Sequence, residues 1–126
     1  TPVYLEDVVD VMNECIEQNI SGLYHIGGWE SINRYDFGLR FAETMGYNPS
    51  CLVQVSIKDF SGTPPRPRDL TLNTHRAQDT FQTILGGVDD GLRRMRQRFD
   101  HPEGEPRPKK LRPPRIAEDN PESSGS

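Results

Sequence analysis

Gly22-Leu23-Tyr24-His25-Ile26-Gly27-Gly28 is a short, largely apolar, β-prone run closed on both sides by glycine. Its length and its punctuation fit a buried strand better than a helix. What flanks it is helical. Upstream, Leu5, Val8, Val9, Met12, Cys15 and Ile16 recur at the spacing of an amphipathic helix, with Glu6 and Asp7 in the first turn where carboxylates favour the positive end of the dipole. Asn19 to Gly22 stops that helix. Downstream, Asn33 is a good N-cap with Asp36 three residues on, and the next helix carries Phe37, Phe41, Ala42 and Met45 on one stripe before Gly46, a natural left-handed terminator. A strand between two helices predicts an α/β fold.

Val53, Val55 and Ile57 then alternate with Gln54 and Ser56, the period of a second strand. An irregular stretch from Asp59 to Asp69 follows, then a brief extended run, Leu70-Thr71-Leu72. A short helix capped by Asn73 or Thr74 holds Ala77 and Phe81. A last helix, from about Val88 to Arg98, sets Val88, Leu92, Met95 and Phe99 on one side. Asp89 and Asp90 open it and arginines close it, the charge order that suits the dipole.

From Phe99 onward the only apolar residues are Phe99, Leu111, Ile116 and Ala117, and six prolines interrupt any regular element. Such a segment cannot bury enough surface to offset its ordering entropy. Residues 1–98 are therefore expected to fold and residues 99–126 to form a disordered tail rich in proline and charge. Overall hydrophobic content is 33% over 126 residues, below the roughly 45–50% usual on a count that includes glycine. The chain opens on Thr1 inside a β-prone run, so it reads as an excerpt of a longer protein or a partial reading frame.

The net charge of −4 gives no global attraction to nucleic acid or to an anionic membrane. No apolar stretch approaches the roughly 20 residues a membrane helix needs, and no signal-peptide pattern opens the chain, so a cytoplasmic setting is expected. Cys15 and Cys51 lack CxxC spacing and read as two reduced, buried thiols.

Chemistry is sparse. No GxGxxG follows a strand, and Gly27-Gly28 and Gly86-Gly87 have the wrong spacing for a phosphate loop. None of the four tyrosines has a lysine four residues later. The three histidines are too scattered for a zinc site, and no GxSxG elbow is present. Pro64-Pro65-Arg66-Pro67-Arg68-Asp69 stands out: two guanidinium groups and a carboxylate on a loop stiffened by three prolines. A guanidinium fork makes paired charge-assisted bonds to phosphate, and proline lowers the entropy lost on fixing the loop. The same residues would equally suit a solvated turn. Trp29 could cover a ligand or cap the core, His25 reads as a structural histidine, and the basic block Arg107 to Arg115 reads as a solvated tail or a contact for an acidic partner.

Four phrases occur in an order and spacing that resembles the C-terminal half of extended short-chain dehydrogenase/reductases acting on nucleotide sugars, nearest to dTDP-4-dehydrorhamnose reductase and related NAD-dependent epimerases. They are Thr1 to Val9, Gly22 to Gly28, Ile32-Asn33-Arg34-Tyr35-Asp36-Phe37, and Arg66-Pro67-Arg68-Asp69-Leu70-Thr71-Leu72-Asn73-Thr74. The resemblance implies a partial Rossmann-type fold: a small C-terminal substrate lobe with two to three short strands and about four helices. It implies a nucleotide-sugar substrate, with Arg66 at the diphosphate and Asp69 near the ribose. Arg68 is a further substrate-binding candidate at a position where the family often has a small residue. No catalytic, cofactor-binding or metal-binding residue is implied in this chain. NAD or NADP, and the Tyr/Lys catalytic pair, would belong to a Rossmann half N-terminal to it. A homodimer or a regulated enzyme partner is also implied. The arginine-proline-arginine phrase is similar to one in the methionine adenosyltransferase beta subunit, which offers an alternative: a non-catalytic regulatory subunit. A third alternative is an interaction module using the basic tail.

Overall fold

A computed structural model describes residues 1–59, 64 and 67–102. Four helices carry the fold: α1 (Leu5–Glu17), α2 (Arg34–Met45), α3 (His75–Thr80) and α4 (Val88–Asp100), with short 3-10 turns at Pro49–Cys51 and Ile57–Asp59. Among the described residues there is no strand. The α/β expectation, with its two to three short strands in a Rossmann-type lobe, is therefore corrected to a helical architecture.

The reason lies in pairing. A strand exists only where its N–H and C=O groups meet a neighbouring chain. The run through Tyr24 and Ile26 does lie beside the N-terminal segment, but among the described residues the backbone bond joining them is Gly28 N–H to the Pro2 carbonyl, 3.0 Å. One bond is not a ladder. The second expected strand fares similarly: Val53 and Val55 are exposed, and the Ser56 N–H donates to Asp59 Oδ2 at 2.9 Å, which curls the chain into a 3-10 turn holding Ile57. Leu70 and Leu72 are exposed too.

The expected helices form close to their predicted limits, although Phe81, expected within α3, follows its end and the Thr74 side chain makes no cap bond. Asn33 Oδ1 accepts the Asp36 N–H at 2.9 Å and caps α2. Gly46 ends it at φ 77°, and the Tyr47 N–H reaches back to the Ala42 carbonyl at 2.8 Å. Helix α2 packs on α4, and Ala42 and Met45 of α2 and Val88 and Leu92 of α4 are all buried. Phe99, expected on that same side of α4, is exposed.

The apolar stripe of α1 is split by its packing: Leu5, Val9, Met12 and Ile16 are exposed, Ile16 at 79%, while Val8 and Cys15 are half-buried. The buried positions are Asp7, Val11 and Glu14, spaced i, i+4, i+7. Val11 joins Ala77, Phe81 and Leu85 in the core, flanked by Val3, Cys15, Ile20, Tyr24 and Ile26. Tyr24 meets Phe81 edge to face, with ring centroids 5.0 Å apart.

Both buried carboxylates are fully engaged. Glu14 accepts the N–H groups of Gln82 (2.6 Å) and Thr83 (3.0 Å) and the Thr83 hydroxyl (2.9 Å). Asp7 pairs with the Arg94 guanidinium at 2.5 Å and accepts a longer bond from the Gly86 N–H. Burial alone would weaken the charge on Arg94, but the Asp7 bond and charge, with Asp90 and Tyr4, together outweigh it and hold the guanidinium more firmly protonated than usual. Arg94 also lies over the Tyr4 ring, 4.5 Å from its centroid. Two residues on, Arg96 donates to the Met45 carbonyl at the end of α2. The arginines of α4, read from sequence as dipole complements, thus tie α4 to both α1 and α2.

Of the two thiols, Cys15 is half-buried beside the core and Cys51 is exposed, which corrects the expectation that both are buried. No helix among the described residues is long and apolar enough to cross a membrane. The expected disordered tail, with its basic block, lies outside the described residues apart from its first few positions, which finish α4.

Candidate functional site

The arginine-proline segment is the sequence-predicted site, and the structure describes its downstream end. Arg66 lies outside the described residues. Pro67, Arg68 and Asp69 are exposed. Asp69 folds back on its own chain: its Oδ1 accepts the Thr71 N–H at 2.8 Å, the geometry of an Asx turn. Bonds from the Thr71 side chain and N–H hold the Asp69 carboxyl below its ordinary range, so it is a fixed negative charge.

Thr71 makes the connection that sequence reasoning missed. Its hydroxyl lies 2.7 Å from the Ser31 hydroxyl, forty positions upstream. That bond stitches the end of the arginine-proline segment to the loop following Gly27-Gly28. Thr71, two residues beyond an aspartate, carries a recognisable Asx-turn spacing; nothing in the sequence marks Ser31 as its partner.

The loop holding Ser31 is itself anchored. Glu30 accepts the Val88 N–H at 3.1 Å, completing the first turn of α4, and accepts from Arg40 of α2 at 2.6 Å. Burial pushes the Glu30 carboxyl up, but the Val88 and Arg40 bonds together outweigh it and hold it below its ordinary value. Arg40 also reaches Asp89 at 3.4 Å. Beside Glu30, the Trp29 indole lies against Gly87 and is 65% exposed, so it does not cap the core.

The two glycine pairs are explained by chain packing. A Cβ on Gly28 would run into the carbonyl oxygens of Pro2 and Gly86, and one on Gly87 would meet the Trp29 ring. These glycines let three backbone segments approach closely; their Cα positions face protein atoms and do not form a cradle for phosphate. An open, apolar cleft lies where Pro2 and Tyr4 meet Phe37, Val88, Leu92 and Met95, and no charged side chain lines it.

The described residues form a helical lobe in which the downstream end of the arginine-proline segment, Pro67 to Asp69, is exposed and joined through Thr71 to the Ser31 loop. The chain belongs to the family described as the RmlD substrate binding domain, which matches residues 1–101 and marks it as a dTDP-4-dehydrorhamnose reductase-like substrate-binding domain. No curated protein and no solved structure matches the chain.

Proposed function

We propose that this chain is the nucleotide-sugar-binding portion of an NAD(P)-dependent sugar-nucleotide reductase or epimerase, and that it turns over no substrate by itself. Membership of a substrate-binding family over residues 1–101 carries the reading. The tether from Thr71 to Ser31 supports it, because it gives the arginine-proline loop a fixed base. In the proposal Arg66 and Arg68 contact the diphosphate and Asp69 lies toward the ribose. Binding energy from that remote end would hold the sugar carbon where a nicotinamide, supplied by a Rossmann half outside this chain, exchanges hydride with it. The protein would act in the cytoplasm, as a homodimer or with an enzyme partner.

The test is calorimetric titration of the chain with a nucleotide sugar. Arg66→Ala is expected to weaken binding by roughly ten- to a hundred-fold, the loss of a charge-assisted hydrogen bond worth about 1.5–3 kcal/mol. Unchanged affinity in Arg66→Ala would remove the diphosphate role.

A further inference from the structure

Leu5, Val9, Met12 and Ile16 follow one another at i, i+4, i+7 and i+11, so they stack along one face of α1, and all four are exposed. A column of large apolar side chains turned to water is a surface that a further segment gains by covering. A second column runs along its side. Glu6, Asp10, Asn13 and Glu17 sit one position further on at the same spacing, which gives the apolar stripe an acidic edge. From Leu5 to Glu17 there is no lysine or arginine. A second copy is a poor cover, because two α1 helices would bring like charges together.

The same chain carries the opposite chemistry. Arg107, Lys109, Lys110, Arg112 and Arg115 place five cations and no carboxylate within residues 107–115, with Leu111 among them and Ile116 next. These residues lie outside the described ones, but their root does not. Arg94 of α4 pairs with Asp7 near the start of α1, and α4 ends at Asp100, about 9 Å further along its axis. The stretch from His101 to Arg107 spans up to about 23 Å when extended, enough to carry the basic block round to the stripe. Lengths match as well. The stripe runs about 16 Å from Leu5 to Ile16, and an extended proline-rich chain would set Leu111 and Ile116 about 16 Å apart. We infer that residues 107–116 lie along the exposed face of α1, with Leu111 and Ile116 on its apolar stripe and the cations against its acidic edge.

The chain's lysines make the test direct, since they are Lys58, Lys109 and Lys110. A carbodiimide joins a lysine amine to a carboxylate only where the two touch. The full chain is treated with it as an equal mixture of unlabelled and heavy-nitrogen protein, and the joined peptides are read by mass spectrometry. Lys109 or Lys110 should be joined to Asp10 or Glu17 within single chains. That yield should fall about five-fold in about 1 M salt, where charges are screened beyond roughly 3 Å. Leu111→Ser with Ile116→Ser keeps every charge and leaves the helical lobe intact, and should lower the yield about five-fold too. Full yield in that double variant would overturn docking on the apolar stripe. Links between light and heavy chains would assign the face to a second copy. Links from Lys109 and Lys110 confined to carboxylates outside α1, such as Glu103 and Glu105, would overturn the inference outright.

Discussion

Glu14 does its work by accepting hydrogen bonds. Its two oxygens take two backbone N–H groups and a hydroxyl from the Gln82-Thr83 turn, far along the chain from α1. A buried carboxylate is tolerated only when its lone pairs are occupied, and here the occupancy also fixes the turn that delivers Leu85 to the core. Glu14→Ala would strand those donors, and a loss of about 2–3 kcal/mol is expected. Denaturant unfolding of the variant measures it; a loss below about 0.5 kcal/mol would mean the turn finds other partners.

At the scale of elements, α1 separates two things that hydrophobic periodicity runs together. The spacing of Leu5, Val9, Met12 and Ile16 does report a helix, because any amphipathic pattern at that period favours one. It does not report which face meets this core. Asp7 and Glu14 are buried through partners at Arg94 and Thr83, and no local pattern in α1 announces those partners. Val11→Ala should therefore cost about 1–3 kcal/mol, whereas Ile16→Lys should stay within about 0.5 kcal/mol of the parent. Paired thermal melts of the two variants decide the matter, and a large loss in Ile16→Lys would place the apolar stripe inside. Helix ends were legible for a simpler reason: Asn33 and Gly46 act through bonds to residues within a few positions, so their roles are written locally. The expected strands were not, because each needed a neighbour that the local run does not supply.

For the whole molecule, the core is thin. Among the described residues no large side chain is completely buried, and the central cluster is Val11, Ala77, Phe81 and Leu85. Long-range order leans on polar links: Glu14 to Thr83, Asp7 to Arg94, Glu30 to Val88, and Arg96 to Met45. Little apolar burial implies a shallow dependence on denaturant and a broad thermal transition for the isolated chain, which calorimetry can check. A sharp, cooperative transition would show that these polar links carry more stability than their number suggests.

The order of the four family phrases, the caps of α2 at Asn33 and Gly46, and the helical periods were settled by the sequence alone, since each depends on residue type and short spacing. Tertiary structure alone decided that the short apolar runs make no sheet and that α1 buries its acidic face. It alone decided that Ser31 meets Thr71, and that the Trp29 ring lies against Gly87. Each of these rests on a contact between residues tens of positions apart, and such a partner becomes known only once the chain has folded back upon itself.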